Sequence, residues 1–373
     1  MADRFSLKDH LFNADTVGQL AAEYAAGVPG FDAARFTKEV LSGFAERELL
    51  ARLEWIADCA EAQLSSDFVI MADQVDKAMP PRLDPALTDD DFGQFIHAVP
   101  GILAVRHGLE AHRERAFALL HAATQRFSME FYIRPFLNRW PEETLAVLST
   151  WAEDDNYHVR RLVSEGTRPK LPWAKAVHLT PEQTLPLLDK LYGDPARFVT
   201  RSVANHLNDL TKSVPDMVLE RLSLWHSAGR QNAREFDWIR RHALRTLIKS
   251  GHSDAMEMLG FSADAPVSVN LSIVSRDVKI GEDLQFSCEI SAPDALPVLV
   301  DYRIGFARPG GRPAEKVFKL KQGQVRPEKP FSVKKSHRLK ADATTFTWHP
   351  GRHILTIQVN GQDRASLDFT VIS

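Results

Sequence analysis

Over the first two thirds of the chain, apolar residues recur three or four positions apart, the spacing typical of amphipathic helices. Segments 48–64 and 113–140 show this spacing clearly. Between them, residues 79–91 contain three prolines and three consecutive aspartates, so we expect a loop there. No stretch before residue 265 alternates like a strand. The pattern therefore predicts a region built from helices.

The helical region contains a repeat of 40 residues. Residues 141–145 (PEETL) match residues 181–185 (PEQTL), and the same shift aligns Val159 with Val199 and with Ile239. Each unit begins with a proline and acidic residues, which favour a helix start, and a second helix follows after an aspartate. One helix pair per 40 residues is typical of HEAT-like solenoids, in which the second helices line one face.

From residue 266 onward, apolar residues alternate with polar ones. The alternating sets are Val267, Val269, Leu271 and Ile273; Leu284, Phe286, Cys288 and Ile290; and Leu355, Ile357 and Val359. Turn signals occur at Gly281, Gly310–Gly311, Gly323, Pro350–Gly351 and Asn360–Gly361. About seven short strands in this length fit an immunoglobulin-like sandwich. We predict an α-then-β protein, with a HEAT-like helical solenoid at residues 1–262 and an immunoglobulin-like β-sandwich at 266–373.

Composition indicates a soluble globular protein, with 44% hydrophobic and 25% charged residues. No apolar run reaches the roughly 18 residues of a membrane span, and the N-terminal residues lack the apolar core of a secretory signal. We therefore expect a cytoplasmic protein. Cys59 and Cys288 lie in different predicted domains, so buried thiols are expected in place of a disulfide or a cysteine metal site.

Charge is distributed unevenly along the chain. The net charge of −3 argues against a general nucleic-acid binder. However, residues 1–100 hold 18 acidic and 8 basic side chains, which gives −10, whereas residues 101–265 sum to +2 and residues 266–373 to +5. This polarity is compatible with a basic face turned toward phosphate.

No cofactor motif is present: the sequence contains no glycine-rich phosphate loop, GxSxG, HExxH or CxxC. We therefore expect no cofactor and no metal. The interior histidines His158, His178, His206 and His242 are interpreted as ordinary helix-surface residues in preference to metal ligands.

The segment 156–175 is rich in cations. It carries Arg160, Arg161, Arg168, Lys170 and Lys175 against a single acid, Glu165. An aromatic residue, Trp173, lies close to its end. Cations with an aromatic and turn prolines form a surface suited to phosphate contacts. The alternative is that Arg160 belongs to the repeat's own ladder and the rest is a solvated face.

An arginine recurs every 40 residues, directly after the repeat position that Arg160 occupies. These residues are Arg161, Arg201 and Arg241. One helical turn further on stand Glu165, Asn205 and Arg245, so the predicted arginine row surrounds a single carboxylate with cations and amides. The alternative is a plain i,i+4 pair of Arg161 with Glu165, worth only about 0.3 to 0.5 kcal/mol on an exposed helix.

Several long segments of the sequence resemble those of a known family. They are MADRFSLKDHLFN at the start, MEFYIRPFLNRW at 129–140, HVRRLVSEGTRPKLPW at 158–173 and FVTRSVANHLNDLTKSVPD at 198–216. The chain resembles, over its whole length, the AlkC group of bacterial HEAT-like DNA alkylation repair glycosylases. The C-terminal immunoglobulin-like domain sets this group apart from the smaller AlkD-type relatives.

The resemblance implies a monofunctional glycosylase for N-alkylated bases such as 3-methyladenine and 3-methylcytosine, which leaves the damaged base in the duplex. By motif, it implies that Glu165, Glu130 and Trp173 are catalytic. A cationic base leaves easily, so a carboxylate near the sugar is needed mainly to stabilise the growing oxocarbenium charge. An indole face beside the sugar stabilises the same charge.

We expect double-stranded DNA as the partner, bound by a monomer that this contact keeps near the nucleoid. The residues expected to contact DNA are Arg161, Arg168, Lys170, Lys175, Arg201, Asn205, Asn208, Lys212 and Arg241. Two other interpretations remain open. Helical solenoids often serve as protein-binding scaffolds, and a DNA-damage sensor would bind without cutting.

Overall fold

The computed structural model describes residues 6–307, 314–340 and 347–372. Contacts divide the chain into two compact units, Met1–Ala243 and Leu244–Ser373. Within the described residues, the helices of the first unit are α1 (Leu7–Leu11), α2 (Ala14–Gly27), α3 (Ala33–Ser42), α4 (Leu49–Glu61), α5 (Phe68–Ala78), α6 (Val99–Leu103), α7 (Arg113–Thr124), α8 (Glu130–Arg139), α9 (Pro141–Trp151), α10 (Tyr157–Gly166), α11 (Pro181–Leu191), α12 (Arg197–Leu210), α13 (Pro215–Ala228) and α14 (Ala233–Ala243). A 3₁₀ turn at Phe95–Ala98 precedes α6, and a π-helical turn at Ala104–Gly108 follows it.

The 40-residue repeat is present as helix pairs, α9 with α10 and α11 with α12, and α13 with α14 forms a third pair. Helices α9 and α11 begin at Pro141 and Pro181, where a missing backbone N–H costs nothing. The second helices α10, α12 and α14 pack side by side. Their aligned apolar residues are fully buried: Val159, Val199 and Ile239. The predicted helical repeat is therefore confirmed.

The helices predicted upstream are also present, with one break. Segment 48–64 contains α4, but segment 113–140 forms two helices, α7 and α8, because the chain leaves the helical path between Thr124 and Glu130. The predicted loop at 79–91 lies between α5 and the 3₁₀ turn. In the described part of the chain before residue 265, strand-type pairing is limited to one bridge between Gly93 and Phe127.

The second unit begins with two short helices, α15 (Arg245–Ser250) and α16 (Ser253–Met258), whose contacts group them with the strands. Its strands are β1 (Ser268–Ile273), β2 (Asp277–Lys279), β3 (Asp283–Ser291), β4 (Leu296–Phe306), β5 (Ala314–Val325), β6 (Phe331–Arg338), β7 (Gly351–Val359) and β8 (Gln362–Ile372). The passage from helix to strand lies between Met258 and Ser268, where the sequence pattern changes period. The compact units, in contrast, divide at residue 243.

The described strands form two sheets, ordered β1-β3-β6 and β2-β8-β7-β4-β5. All pairings are antiparallel except that of β2 with β8. The sequence predicts about seven strands, and the additional one is β2, whose three residues are too few to show alternation. As predicted, the alternate apolar residues of β3 and β7 form the core between the sheets: Leu284, Phe286, Cys288, Ile290, Leu355, Ile357 and Val359.

The turn signals mostly mark turns. Asn360 and Gly361 join β7 to β8 with φ of 51° and 76°, the positive values that a tight hairpin requires. Gly281 lies between β2 and β3. The turn predicted at Gly323 is wrong, because this residue lies inside β5, where the Phe331 ring fills the space of a side chain. Gly310–Gly311 lies outside the described residues.

Both cysteines are free and buried, as predicted. Burial raises the pKa of Cys59 to about 12 and that of Cys288 to about 11, so both are unreactive thiols at neutral pH. None of the helices in the described residues combines the length and the apolar character needed to cross a bilayer.

Candidate active site

The two candidate carboxylates lie on helices that pack together. Glu130 is the first residue of α8, and Glu165 is in the last turn of α10, which packs on α8. A Cβ at Gly166 would lie 2.5 Å from Cγ2 of Ile133. Glycine at the end of α10 therefore allows this helix to approach α8 closely.

The Glu165 carboxylate is buried and surrounded by donors. The residue is only 5% exposed. Its Oε1 accepts a hydrogen bond from Arg168 Nη1 at 2.5 Å, and its Oε2 accepts one from Ser202 Oγ at 2.6 Å. Burial by itself would raise the pKa of this carboxyl, but the charges of Arg161 and Arg168 and these hydrogen bonds outweigh it and lower the pKa. The carboxylate is therefore ionised at neutral pH.

Arg161 connects the two carboxylates. Its Nη1 donates to Glu130 Oε2 at 3.0 Å and to Ser128 Oγ at 2.9 Å, and its Nη2 lies 3.8 Å from Glu165 Oε2. The guanidinium also stacks on the Phe198 ring at 4.3 Å from the centroid. The i,i+4 pair that was the alternative interpretation thus exists, but the shorter contact of Arg161 is with Glu130 on α8.

Arg168 extends the network to α12. Its Nη2 lies 2.9 Å from Asp209 Oδ2, and Lys212 Nζ lies 3.2 Å from the other oxygen of Asp209. Acids and bases alternate through the whole group, which we call the ionic chain: Glu130, Arg161, Glu165, Arg168, Asp209 and Lys212. Its formal charges cancel. A ligand that takes one of its cations therefore leaves an excess of negative charge on the carboxylates.

Two members of this site, Ser202 and Asp209, are absent from the sequence-based candidates. They stand seven positions apart on α12 and hence on one face of that helix. The face also includes Asn205, which was predicted. Ser202 and Asp209 could therefore have been found by their helical spacing from Asn205. Spacing alone, however, does not show which residues of α10 this face of α12 contacts.

Each arginine of the predicted row contacts a carboxylate of this chain. Arg201 lies on α12 beside Asp89 and Asp90 of the loop after α5, and Arg241 on α14 pairs with Asp237 at 2.7 Å. Arg161 pairs with Glu130, as described above. The prediction that the row surrounds a single carboxylate is therefore wrong, because each of its arginines pairs with a carboxylate other than Glu165.

The other predicted DNA contacts differ in their exposure. Lys170, Lys175 and Lys212 are exposed, whereas Asn208 is buried. Asn205 Oδ1 lies 2.9 Å from His242 Nε2 on the neighbouring helix. The lysines are thus placed for contacts with a ligand, while the two asparagines lie within or between helices.

Trp173 lies on the loop between α10 and α11 and is 71% exposed. Its φ of 64° is in the left-handed region, which is uncommon for a bulky residue. An open cavity of about 490 Å³ is lined by Arg168, Lys170 and Lys212. Trp173 borders a second cavity, of about 270 Å³, together with Tyr132.

The histidines form no shared site. The interpretation of His158 and His206 as helix-surface residues is wrong, because both are buried. Burial lowers the pKa of each to about 4, so both are neutral at neutral pH. His206 Nδ1 lies 3.1 Å from Ser164 O, and the His242 ring stacks on Trp238. Among the described residues, no group of three or more histidine, cysteine or acidic side chains is arranged to hold a metal ion.

Comparison with known proteins extends over both units. A family model described as "Uncharacterised protein YhaZ, C-terminal Ig-like domain" matches residues 268–373. The chain is 33% identical over 370 residues to YhaZ of Bacillus subtilis (strain 168), a match that covers 97% of this chain and 98% of that protein. It is 32% identical, with a TM-score of 0.78, to the Pseudomonas fluorescens alkylpurine DNA glycosylase AlkC bound to DNA containing an abasic site analog. This second match covers 99% of this chain and 100% of the other. The family resemblance inferred from the sequence is thus confirmed, and the chain belongs to the AlkC family.

Proposed function

We propose that this protein is a monofunctional DNA glycosylase, which hydrolyses the N-glycosidic bond of alkylated bases that carry a positive charge. The observation that carries the proposal is the carboxylate of Glu165, kept ionised by Arg161 and Arg168. It occurs in a chain that is similar over its full length to an alkylpurine DNA glycosylase.

The chemistry requires little more than such a carboxylate. Alkylation at N3 gives the base a positive charge, so it departs as a neutral molecule without prior protonation. Positive charge grows on the deoxyribose as the bond lengthens, and a nearby anion stabilises it, as in glycoside hydrolysis. The same carboxylate is suited to orient the attacking water. 3-Methyladenine and 3-methylcytosine both meet this charge requirement.

Binding of DNA would leave the carboxylates of the site less neutralised by their cationic partners. A backbone phosphate in the cavity beside Arg168 would pair with this arginine and with Lys212, both members of the ionic chain. Their hold on Glu165 and Asp209 would then weaken. Glu130, which is less buried than Glu165, would share the stabilisation of the sugar.

Trp173 would act beside the carboxylates. Its exposed indole is free to pack on the deoxyribose, where contact with a polarised or cationic group contributes about 0.5 to 2 kcal/mol. The same contact would exclude bulk water from the reacting carbon.

Phosphate contacts would come from the cations on either side of the site. Lys170, Lys175, Lys212, Arg201 and Arg241 are the outer members of the set predicted from sequence. Arg168 would also contact the phosphate in the adjoining cavity, whereas the buried Arg161 would act mainly by holding the carboxylates. With the base left in the duplex, selectivity would depend on the lability of charged bases, since intact neutral bases are poor leaving groups. The active form would be a monomer on double-stranded DNA in the cytoplasm.

The test is release of bases from duplex DNA containing 3-methyladenine, read as strand breaks after alkaline cleavage at abasic sites. The wild-type protein is expected to produce breaks, and Glu165→Gln is expected to lower the single-turnover rate by about 10²- to 10³-fold while DNA binding persists. Glu142→Gln, on the exposed first turn of α9, is the matched control and keeps the wild-type rate.

A wild-type protein that binds this DNA without producing breaks would be a damage sensor, and one that does not bind it would be a protein scaffold. Loss of affinity in Glu165→Gln with intact turnover of bound DNA would remove the catalytic role of this residue. Because this variant leaves buried guanidiniums without their carboxylate, its thermal unfolding is measured alongside. Glu130→Gln, at the less buried end of the ionic chain, provides a second test.

A further inference from the structure

We propose that Arg134 is a positioning residue for Trp173. Its buried guanidinium fixes both ends of the loop that carries the tryptophan, and thereby holds the indole where the sugar of a damaged nucleotide binds. This inference rests on the proposed function and adds to it a residue whose hydrogen bonds go to backbone carbonyls and not to the carboxylates of the ionic chain.

The contacts of Arg134 all go to one stretch of backbone. Its Nη1 donates to the carbonyl oxygens of Gly166 at 3.0 Å and of Arg168 at 2.8 Å, and its Nε donates to that of Lys175 at 2.5 Å. The first two carbonyls precede Trp173 and the third follows it. One side chain therefore connects the two ends of the loop.

Another residue on the same face of α8 also holds the end of the Trp173 loop. Glu130, Arg134 and Asn138 follow one another at intervals of four residues and so share one side of the helix. Asn138 Nδ2 donates to Ala176 O at 2.8 Å, and its Oδ1 accepts from the backbone N–H of His178 at 3.1 Å. A candidate catalytic carboxylate and the anchors of the Trp173 loop are thus held on one rigid element.

The burial of Arg134 indicates that these contacts matter. Its side chain is fully buried, and burial together with the charge of Arg168 lowers its pKa to about 10. It remains charged at neutral pH, and charge-assisted hydrogen bonds to carbonyls offset part of the cost of burying it. A lysine would keep the charge, but its single nitrogen cannot reproduce the planar fork that reaches three carbonyls.

Trp173 needs such support because its own conformation is unfavourable. Its φ of 64° costs free energy, and its largely exposed ring gains little from packing. Fixing the loop ends before DNA arrives removes conformational freedom that would otherwise be lost in the transition state. The loop is thus pre-organised by α8.

The experiment is a double-mutant cycle on single-turnover excision of 3-methyladenine, with Arg134→Lys and Trp173→Ala as the single variants. Arg134→Lys is expected to lower the rate several-fold when Trp173 is present, and by no more than the about 30-fold that loss of the indole would cost. In the Trp173→Ala background it should lower the rate less than about 2-fold, since the positioned group is gone. Arg139→Lys is the control, on the same helix but exposed and paired with Glu110 at 2.9 Å.

Equal fold-reductions by Arg134→Lys in both backgrounds would overturn the inference, because they would show that Arg134 acts through the fold or through the carboxylates. A wild-type rate for Trp173→Ala would overturn it too. A wild-type protein that releases no base rejects the proposed function, which is a separate result.

A second measurement needs no activity. Cleavage by a lysine-specific protease at Lys170 and Lys175 reports how often the loop opens. Arg134→Lys should be cut at these sites at least several-fold faster than the wild-type protein and the Arg139→Lys control, at a temperature well below unfolding. Equal cleavage rates would show that Arg134 does not hold the loop.

Discussion

Both terminal nitrogens of Arg201 lie 3.0 Å from a single oxygen of Asp90, which precedes it by 111 positions. Asp89 adds a second carboxylate, 2.6 Å from Nη2. The loop is anchored beside them by its Thr88 carbonyl, which accepts from the backbone N–H of Phe198 at 2.9 Å. A phosphate that binds Arg201 therefore has to displace two aspartates.

The first prediction follows from this competition. Replacing both aspartates (Asp89→Asn with Asp90→Asn) should strengthen binding to undamaged DNA, because Arg201 becomes available and two negative charges leave the interface. One additional phosphate contact would make the slope of log K against log salt steeper by about 0.9. Fluorescence anisotropy over a range of salt concentrations measures both quantities.

The matched control changes the same net charge elsewhere. Asp216→Asn with Glu220→Gln alters two exposed acids on α13. Equal gains in affinity for the two double variants would attribute the effect to net charge alone and remove the specific role of Asp89 and Asp90.

The sequence predicts well what depends on local spacing. The 40-residue period places α9 to α12 because proline starts and buried apolar positions repeat, and alternation places the core of the sandwich. Helical spacing likewise predicts that Arg161 and Glu165 are neighbours. The strand β2 could not be predicted, because three residues are too few to show alternation. The position of Gly323 inside β5 could not be predicted either, because the ring that fills the space beside it belongs to the distant residue Phe331.

The remaining contacts of the site depend on how one repeat stacks on the next. Arg161 meets Glu130 from 31 positions away, and Arg168 meets Asp209 from 41. Which residue faces which is decided by the rotation and shift between neighbouring helices, and a small change in either would alter the pairing. The 40-residue period predicts that the repeats stack, but it does not determine which residues of neighbouring helices face each other.

Acid should destabilise the first unit through its buried histidines. His206 has a pKa of about 4 in the folded protein, against an ordinary value of 6.5, because burial disfavours its charged form. The unfolded chain therefore takes up a proton that the folded chain does not as pH falls from 6.5 to 4, and the free energy of unfolding decreases over this window. Below about pH 4, both states are protonated and this contribution to the slope ends.

The measurement is urea unfolding of the wild-type protein and His206→Gln between pH 7 and pH 4.5. Loss of one titrating group should reduce the slope by up to about 1.4 kcal/mol per pH unit. His178→Gln, at an exposed histidine, is the control. Identical pH slopes for wild type and His206→Gln would contradict the assignment.

Ser202 should tune Glu165. Its hydroxyl donates to Oε2 at 2.6 Å, and a hydrogen bond to the ionised form lowers the pKa of the carboxyl. Ser202→Ala should raise that pKa, which moves the acid limb of the excision rate to higher pH, and should lower the free energy of unfolding by about 1.5 to 3 kcal/mol.

The pH profile of single-turnover excision and urea unfolding measure these effects. Ser164→Ala removes a buried hydroxyl that lies 3.0 Å from Ser202 Oγ and is not bonded to the carboxylate. It should leave the acid limb in place. An acid limb that moves equally in both variants would show that general packing sets it.

Trp173→Gly should separate stability from activity. Glycine adopts the φ of 64° without strain, and the indole it removes is 71% exposed, so the variant should be at least as stable as the wild-type protein. If the indole stabilises the sugar in the transition state, by about 0.5 to 2 kcal/mol as in cation–π contacts, the single-turnover rate should nevertheless fall by about 2- to 30-fold. Thermal unfolding and base release on the same preparation give the two quantities. Trp173→Phe, which keeps an aromatic face and the strain, should recover much of the rate at unchanged stability. A Trp173→Gly protein that is destabilised and retains the wild-type rate would mean that the indole serves the packing of the loop.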